Sequence, residues 1–122
     1  MAPLEVVKSH FKKYGLLDHH IHFIKGYFEN TLPVFQPRPQ NEIALLRLDG
    51  DLYNSTMVVM NHLYPKLQPG GWVIIDDYFW RPIMKGVSNL PLCREAIDEY
   101  RLAHNITEPI NLSGTPSWQK KI

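Results

Sequence analysis

The sequence predicts an α/β fold: a mostly parallel sheet with flanking helices, closed by an antiparallel strand pair at the C-terminus. Two nearly continuous apolar runs, IALLRL at 43–48 and WVII at 72–75, have the length and composition of strands. A segment with helical spacing lies between them, which makes a βαβ unit. Each run stops on acid, Asp49 after the first and Asp76-Asp77 after the second.

Taken in order, residues 3–14 read as an amphipathic helix with Leu4, Val7, Phe11 and Tyr14 on one face and Gly15 as its stop. IHFI at 21–24 predicts a short strand running into Lys25-Gly26-Tyr27-Phe28. The proline cluster at 33–39 predicts a surface loop. The run at 43–48 suits a strand covered on both faces and ends at Asp49-Gly50-Asp51. A helix follows from about 55 to 67, with Met57, Met60, Tyr64 and Leu67 inward and Asn54 or Ser55 as cap. Pro69-Gly70-Gly71 breaks the chain before the strand at 72–75, where Trp72 reads as core. Residues 78–90 read as loop. Pro91 opens a third helix to about 104, with Leu92, Ala96, Ile97, Tyr100 and Ala103 inward. The tail, 108–122, is expected to hold two short strands.

Composition narrows the function classes. The chain has 122 residues, room for one domain, and its 44% hydrophobic and 20% charged content is that of a folded globular protein. A formal net charge of +1 gives no electrostatic footprint for nucleic acid or an acidic membrane. No apolar run approaches the roughly 20 residues of a membrane span. Lys8, Lys12 and Lys13 interrupt any signal-peptide core, and the lone Cys93 excludes an internal disulfide. A cytoplasmic protein is expected, and the three N-x-S/T sequences at Asn54, Asn105 and Asn111 are read as chance.

The chemistry sits in the acids. A right-handed crossover brings the two strands into one sheet with their carboxyl ends level, the edge where open α/β sheets bind ligands. Asp49, Asp76 and Asp77 therefore converge there. At about 4 Å and an effective dielectric near 20, each carboxylate pair repels by on the order of 4 kcal/mol. A hard divalent cation such as magnesium, or a proton held at raised pKa, relieves that strain. Asp51 is placed as a further ligand or a supporting acid. His19, His20 and His22 read as a solvated turn and Cys93 as a packed thiol. Phe79 and Trp80 are read equally as a pocket wall or a partner-facing patch, and Arg81 and Lys85 as solvated loop charges.

The runs LRLDGDLYNSTM at 46–57, LYPKLQPGG at 63–71 and VIIDDY at 73–78 resemble the macrocin O-methyltransferase family of TylF type. The likeness continues through CREAI at 93–97 and upstream through KGYF at 25–28. It implies a class I methyltransferase sheet and a metal site like that of catechol O-methyltransferase. By that likeness Asp49, Asp76 and Asp77 would bind Mg2+, and Asp49 would take the proton from an acceptor hydroxyl. Gly26, Tyr27 and Phe28, with Asp49, would lie beside S-adenosylmethionine. The acceptor would be a small molecule, a sugar or natural-product hydroxyl. The family's glycine-rich cofactor loop has no counterpart, since none of the seven glycines forms G-x-G. Residues 1–122 are thus expected to be one domain, the C-terminal portion of such an enzyme, possessing an exposed sheet edge suited to homo-oligomer formation or to pairing with another chain. Two other readings stand beside it: a non-catalytic fragment or partner subunit, and a metal-dependent glycosyltransferase that uses Asp49-Gly50-Asp51 as a D-x-D motif.

Overall fold

A computed structural model describes residues 2–36, 42–82 and 90–121. The chain opens with helix α1 (Leu4–Lys13) and a short helix α2 (Phe28–Thr31), which continues into a 3-10 turn at Leu32–Val34. Strand β1 (Ile43–Leu48), helix α3 (Tyr53–Leu63), a second 3-10 turn (Tyr64–Lys66) and strand β2 (Leu67–Ile75) form the βαβ unit. Helix α4 (Cys93–Ala103) and strand β3 (Ser117–Gln119) follow.

The sheet order is β1-β2-β3, with β1 parallel and β3 antiparallel to β2. Leu46 pairs with Val73 and Leu48 with Ile75, so the parallel strands end level. The Asp76 amide extends the ladder by donating to the Leu48 carbonyl at 2.9 Å. Alternation then sends Leu46, Leu48, Val73 and Ile75 to one face, where they meet Val59 and Met60 of α3 and Ile97 and Tyr100 of α4.

The opposite face is open. Leu45 and Trp72, partners in register, are 55% and 42% exposed. This corrects two expectations: among the described residues β1 is covered on one face only, and Trp72 is not core. Trp118 fills the central aromatic place instead, 1% exposed beneath the Arg101 guanidinium.

Three elements depart from their predicted bounds. Pro69-Gly70-Gly71 stays within β2 rather than breaking it, because the register slips: Ile43 faces Leu67 and Leu45 faces Trp72. Gly71 permits that crowding, since a Cβ there would stand 2.9 Å from the Ala44 and Gln68 carbonyl oxygens. Residues 21–24 form no strand. Among the described residues no strand lies beside them, and an unpaired strand gains no ladder bonds; Phe23 packs edge-on against Phe11 of α1 at 5.3 Å. In the tail, a single bridge between Asn111 and Ser117 replaces the first of the two expected strands.

Smaller corrections have local causes. Leu52 is the N-cap residue of α3, and the Ser55 hydroxyl turns back to the Leu52 carbonyl at 3.0 Å. Tyr14 is 70% exposed and Ala103 is exposed, each lying beyond the packed stretch of its helix. Residues 37–39 and 83–89, parts of two expected loops, lie outside the described residues, and Lys85 with them. Among the described residues no helix is long and apolar enough to cross a membrane.

Candidate functional site

The carboxyl ends of β1 and β2 carry the candidate site. The turn after β1 is pinned from two sides. Thr56, 2% exposed on α3, donates its hydroxyl to the carbonyls of Leu52 at 2.8 Å and Gly50 at 3.3 Å. The Cys93 amide at the start of α4 donates to the Asp51 carbonyl at 3.2 Å, and Leu52 bridges Leu92. Two helices thereby fix where Asp49 and Asp51 stand. On α4, Glu95 accepts the Leu92 amide at 2.7 Å, which closes the helix start.

Asp77 lies against both acids. Burial first, and then the charges of Asp51 and Asp49, push its carboxyl up to about 6. Its Oδ2 is buried with no hydrogen-bond partner among the described residues. A buried carboxylate oxygen without a donor is costly, and that cost falls away when a proton or cation arrives. The carboxylates of Asp49 and Asp51 beside it are oxygen donors of the kind a hard divalent cation prefers.

Asp76 is turned elsewhere. Its Oδ2 accepts from Arg47 Nε at 2.9 Å and from the same guanidinium's Nη2. Arg47 stands on β1 opposite Ile74, which lies two residues before Asp76, so the two side chains share a face and meet across the strands. The structure therefore brings Asp49, Asp51 and Asp77 together and leaves Asp76 in an ion pair. Among the described residues the one trio whose ligand atoms all lie within 4.8 Å of one another is Asp18, His19 and His20, and all three are exposed. Asp18 there accepts the His20 amide at 2.8 Å, which fits the solvated turn expected for the histidines.

The predicted cofactor loop divides. Gly26 has φ +139°, and a Cβ would meet Thr31 Cγ2 at 2.8 Å, so glycine is required. Tyr27 is 69% exposed, just before α2. Phe28 lines a recess of about 130 Å³, open to solvent, together with Asp49, Gly50 and Ser55. Beyond it Tyr78 is buried and donates to Asp98 at 2.7 Å, whereas Phe79 and Trp80 are exposed. Arg81 is held by Glu95 rather than free in solvent. Cys93 is a packed thiol, its pKa raised first by burial.

Sequence reasoning missed Arg47. The available signal was a lone cation inside an apolar strand, two residues before an acid.

Comparison with known proteins places the chain among O-methyltransferases. The chain is 43% identical over 115 residues to the 8-demethyl-8-(2,3-dimethoxy-α-L-rhamnosyl)-tetracenomycin-C 4'-O-methyltransferase of Streptomyces olivaceus, covering 93% of this chain and 39% of that one. It is 44% identical to the mycinamicin III 3''-O-methyltransferase of Micromonospora griseorubida, covering 88% and 37%. The structure of the O-methyltransferase NovP superposes with a TM-score of 0.82 at 37% identity, covering 99% of this chain and 46% of NovP. The chain thus spans less than half the length of these relatives. With the macrocin O-methyltransferase (TylF) model matching residues 1–120, the chain belongs to that family.

Proposed function

We propose that this chain is the metal- and acceptor-side portion of a magnesium-assisted, S-adenosylmethionine-dependent O-methyltransferase acting on a sugar or natural-product hydroxyl. The observation that carries the reading is the unpartnered Oδ2 of Asp77, held between Asp49 and Asp51 at the carboxyl edge of the sheet. The O-methyltransferase names of the relatives support the reaction class. They give no support to a D-x-D glycosyltransferase.

Asp77 and Asp49 would hold the cation, with Asp51 beside them and Asp76 joining on release from Arg47. Magnesium, when bound, supplies Lewis-acid stabilisation to an oxygen losing its proton. Asp49, on a turn pinned by α3 and α4, accepts that proton as general base. Phe28 offers an apolar face to the methyl donor, and Gly26 lets the backbone bend there. Holding the reactants in line is the larger part of the rate gain such a site delivers.

Titration with Mn2+ as a spectroscopic stand-in, and with S-adenosylmethionine against a UDP-sugar, tests the assignment. We expect one Mn2+ site that Asp77→Asn weakens at least tenfold, and no UDP-sugar binding. Equal Mn2+ affinity in the Asp77→Asn chain would remove the metal site from the reading.

A further inference from the structure

A second set of metal-binding side chains stands in the turn after α1. Gly15 ends that helix at φ +68°, and the Leu16 amide donates back to the Phe11 carbonyl at 2.8 Å. Phe23 then returns the chain to α1 by packing on Phe11. Between these two anchors the Ile21 amide donates to the Asp18 carbonyl at 3.2 Å, and the His20 amide donates to Asp18 Oδ1 at 2.8 Å. Both bonds hold the turn from within, so Asp18 and His20 keep their relative places before any ion arrives.

Consecutive side chains of an extended chain point to opposite sides, but this turn brings three of them together. The His19 and His20 rings lie 3.8 Å apart, centre to centre, and His20 Nδ1 stands 3.3 Å from Asp18 Oδ1. One nitrogen from each ring and one carboxylate oxygen all lie within 4.8 Å of one another. Zinc takes imidazole nitrogen and carboxylate oxygen at about 2.1 Å, so two donors at tetrahedral corners stand about 3.4 Å apart. The Asp18–His20 pair already has that spacing. Bringing the widest gap of the trio to the same value takes at most about 1.4 Å, a movement that rotation about the side-chain bonds of an exposed imidazole supplies. The His20 and Asp18 side chains are 74% and 56% exposed, so an ion reaches them without opening the fold.

We propose that Asp18, His19 and His20 form a surface site for a divalent transition-metal ion of the zinc class, with water in the remaining coordination position. Two imidazoles and one carboxylate are a softer donor set than the acids at the sheet edge, and imidazole nitrogen favours zinc, nickel or copper over magnesium. Transition ions and magnesium are thereby directed to different parts of the chain. Without an ion the three side chains are the solvated turn already described. With one, the turn is clamped, and the link from α1 to Gly26 loses freedom.

The test is calorimetric titration of the full 122-residue chain with Zn2+ in excess Mg2+, which keeps the carboxylates at the strand ends occupied. We expect one Zn2+ per chain. Loss of an outer-shell partner already costs about 10–100-fold in metal affinity, so removing a ligand by His20→Gln or Asp18→Asn should weaken binding at least tenfold. The ring resonances of His19 and His20 should shift as Zn2+ is added, and hydrogen exchange at the His20 and Ile21 amides should slow. Asp77→Asn, at the other site, should leave Zn2+ binding unchanged. If a variant does not fold, the ring resonances of the unsubstituted chain decide. No Zn2+ binding, equal affinity in the His20→Gln chain, ring shifts confined to His10, His22, His62 or His104, loss of Zn2+ binding with Asp77→Asn, or one Zn2+ per two chains overturns the proposal.

Discussion

Replacing Asp77 with asparagine should make the metal-free chain more stable, and by an amount that depends on pH. Asp77 is pushed up from 3.8 to about 6 by burial and by Asp51 and Asp49. A tenfold change in proton affinity is worth about 1.4 kcal/mol, so the full rise corresponds to about 3 kcal/mol. The carboxyl is partly solvated, so about 1–2 kcal/mol is the working figure. The folded chain holds this proton more tightly than the unfolded chain does. Below about pH 4 both states are protonated and the penalty is absent. Between about pH 4 and 6 the unfolded state has released its proton while the fold still holds it, so stability falls as pH rises. Above about 6 the loss is complete and constant. Asparagine keeps the shape and cannot ionise, so the variant lacks this descent. Urea denaturation of both chains in EDTA, from pH 4 to pH 8, gives the difference in stability directly, and titrations common to both cancel. At pH 7 the variant should melt several degrees higher. Magnesium should then raise the melting temperature of the unsubstituted chain and leave the variant unmoved. Parallel stability curves across the whole pH range would refute the account of Asp77 as a strained carboxyl.

Arg47→Gln frees Asp76 from its ion pair, and should tighten Mn2+ binding about two- to fivefold, the worth of one exposed salt bridge; weaker binding in calorimetry would contradict a competing role for Arg47. Glu95 is held at about 2, chiefly by Arg81, and so contributes stability above its ordinary 4.5 that is lost as pH falls toward 2. Glu95→Gln should cost about 1 kcal/mol at neutral pH by urea titration, with the difference from the unsubstituted chain vanishing near pH 2. Gly26→Ala forces a side chain onto Thr31 at a φ that L residues rarely adopt, and should lower stability by about 1–3 kcal/mol; an unchanged melting temperature would show that the turn relaxes.

The sequence was most legible where chemistry and periodicity coincide. The apolar runs at 43–48 and 72–75 announced the parallel pair. Strand existence at 21–24 was not legible, since a strand is a property of a pair and no described strand lies beside it. Burial of Trp72 failed for a related reason: an apolar side chain packs only where something covers it. The start of β2 hid behind Pro69-Gly70-Gly71, whose turn chemistry was overridden by a register slip that Gly71 alone has space for. At the strand ends, the Arg47–Asp76 pair spans 29 residues and depends on register, which spacing alone does not reveal.

The uneven placement of the tryptophans turns the molecule into its own optical gauge. Trp118 is sealed in the core at 1% exposure, whereas Trp72 looks out from the bare side of the sheet at 42%. With Trp80, also 42% exposed, replaced by phenylalanine, fluorescence reduces to one constant internal signal and one that senses water at a single place. Quenching by iodide should reach Trp72 in the solitary chain and be shut out once that side is covered, so assembly can be followed in a cuvette without any label.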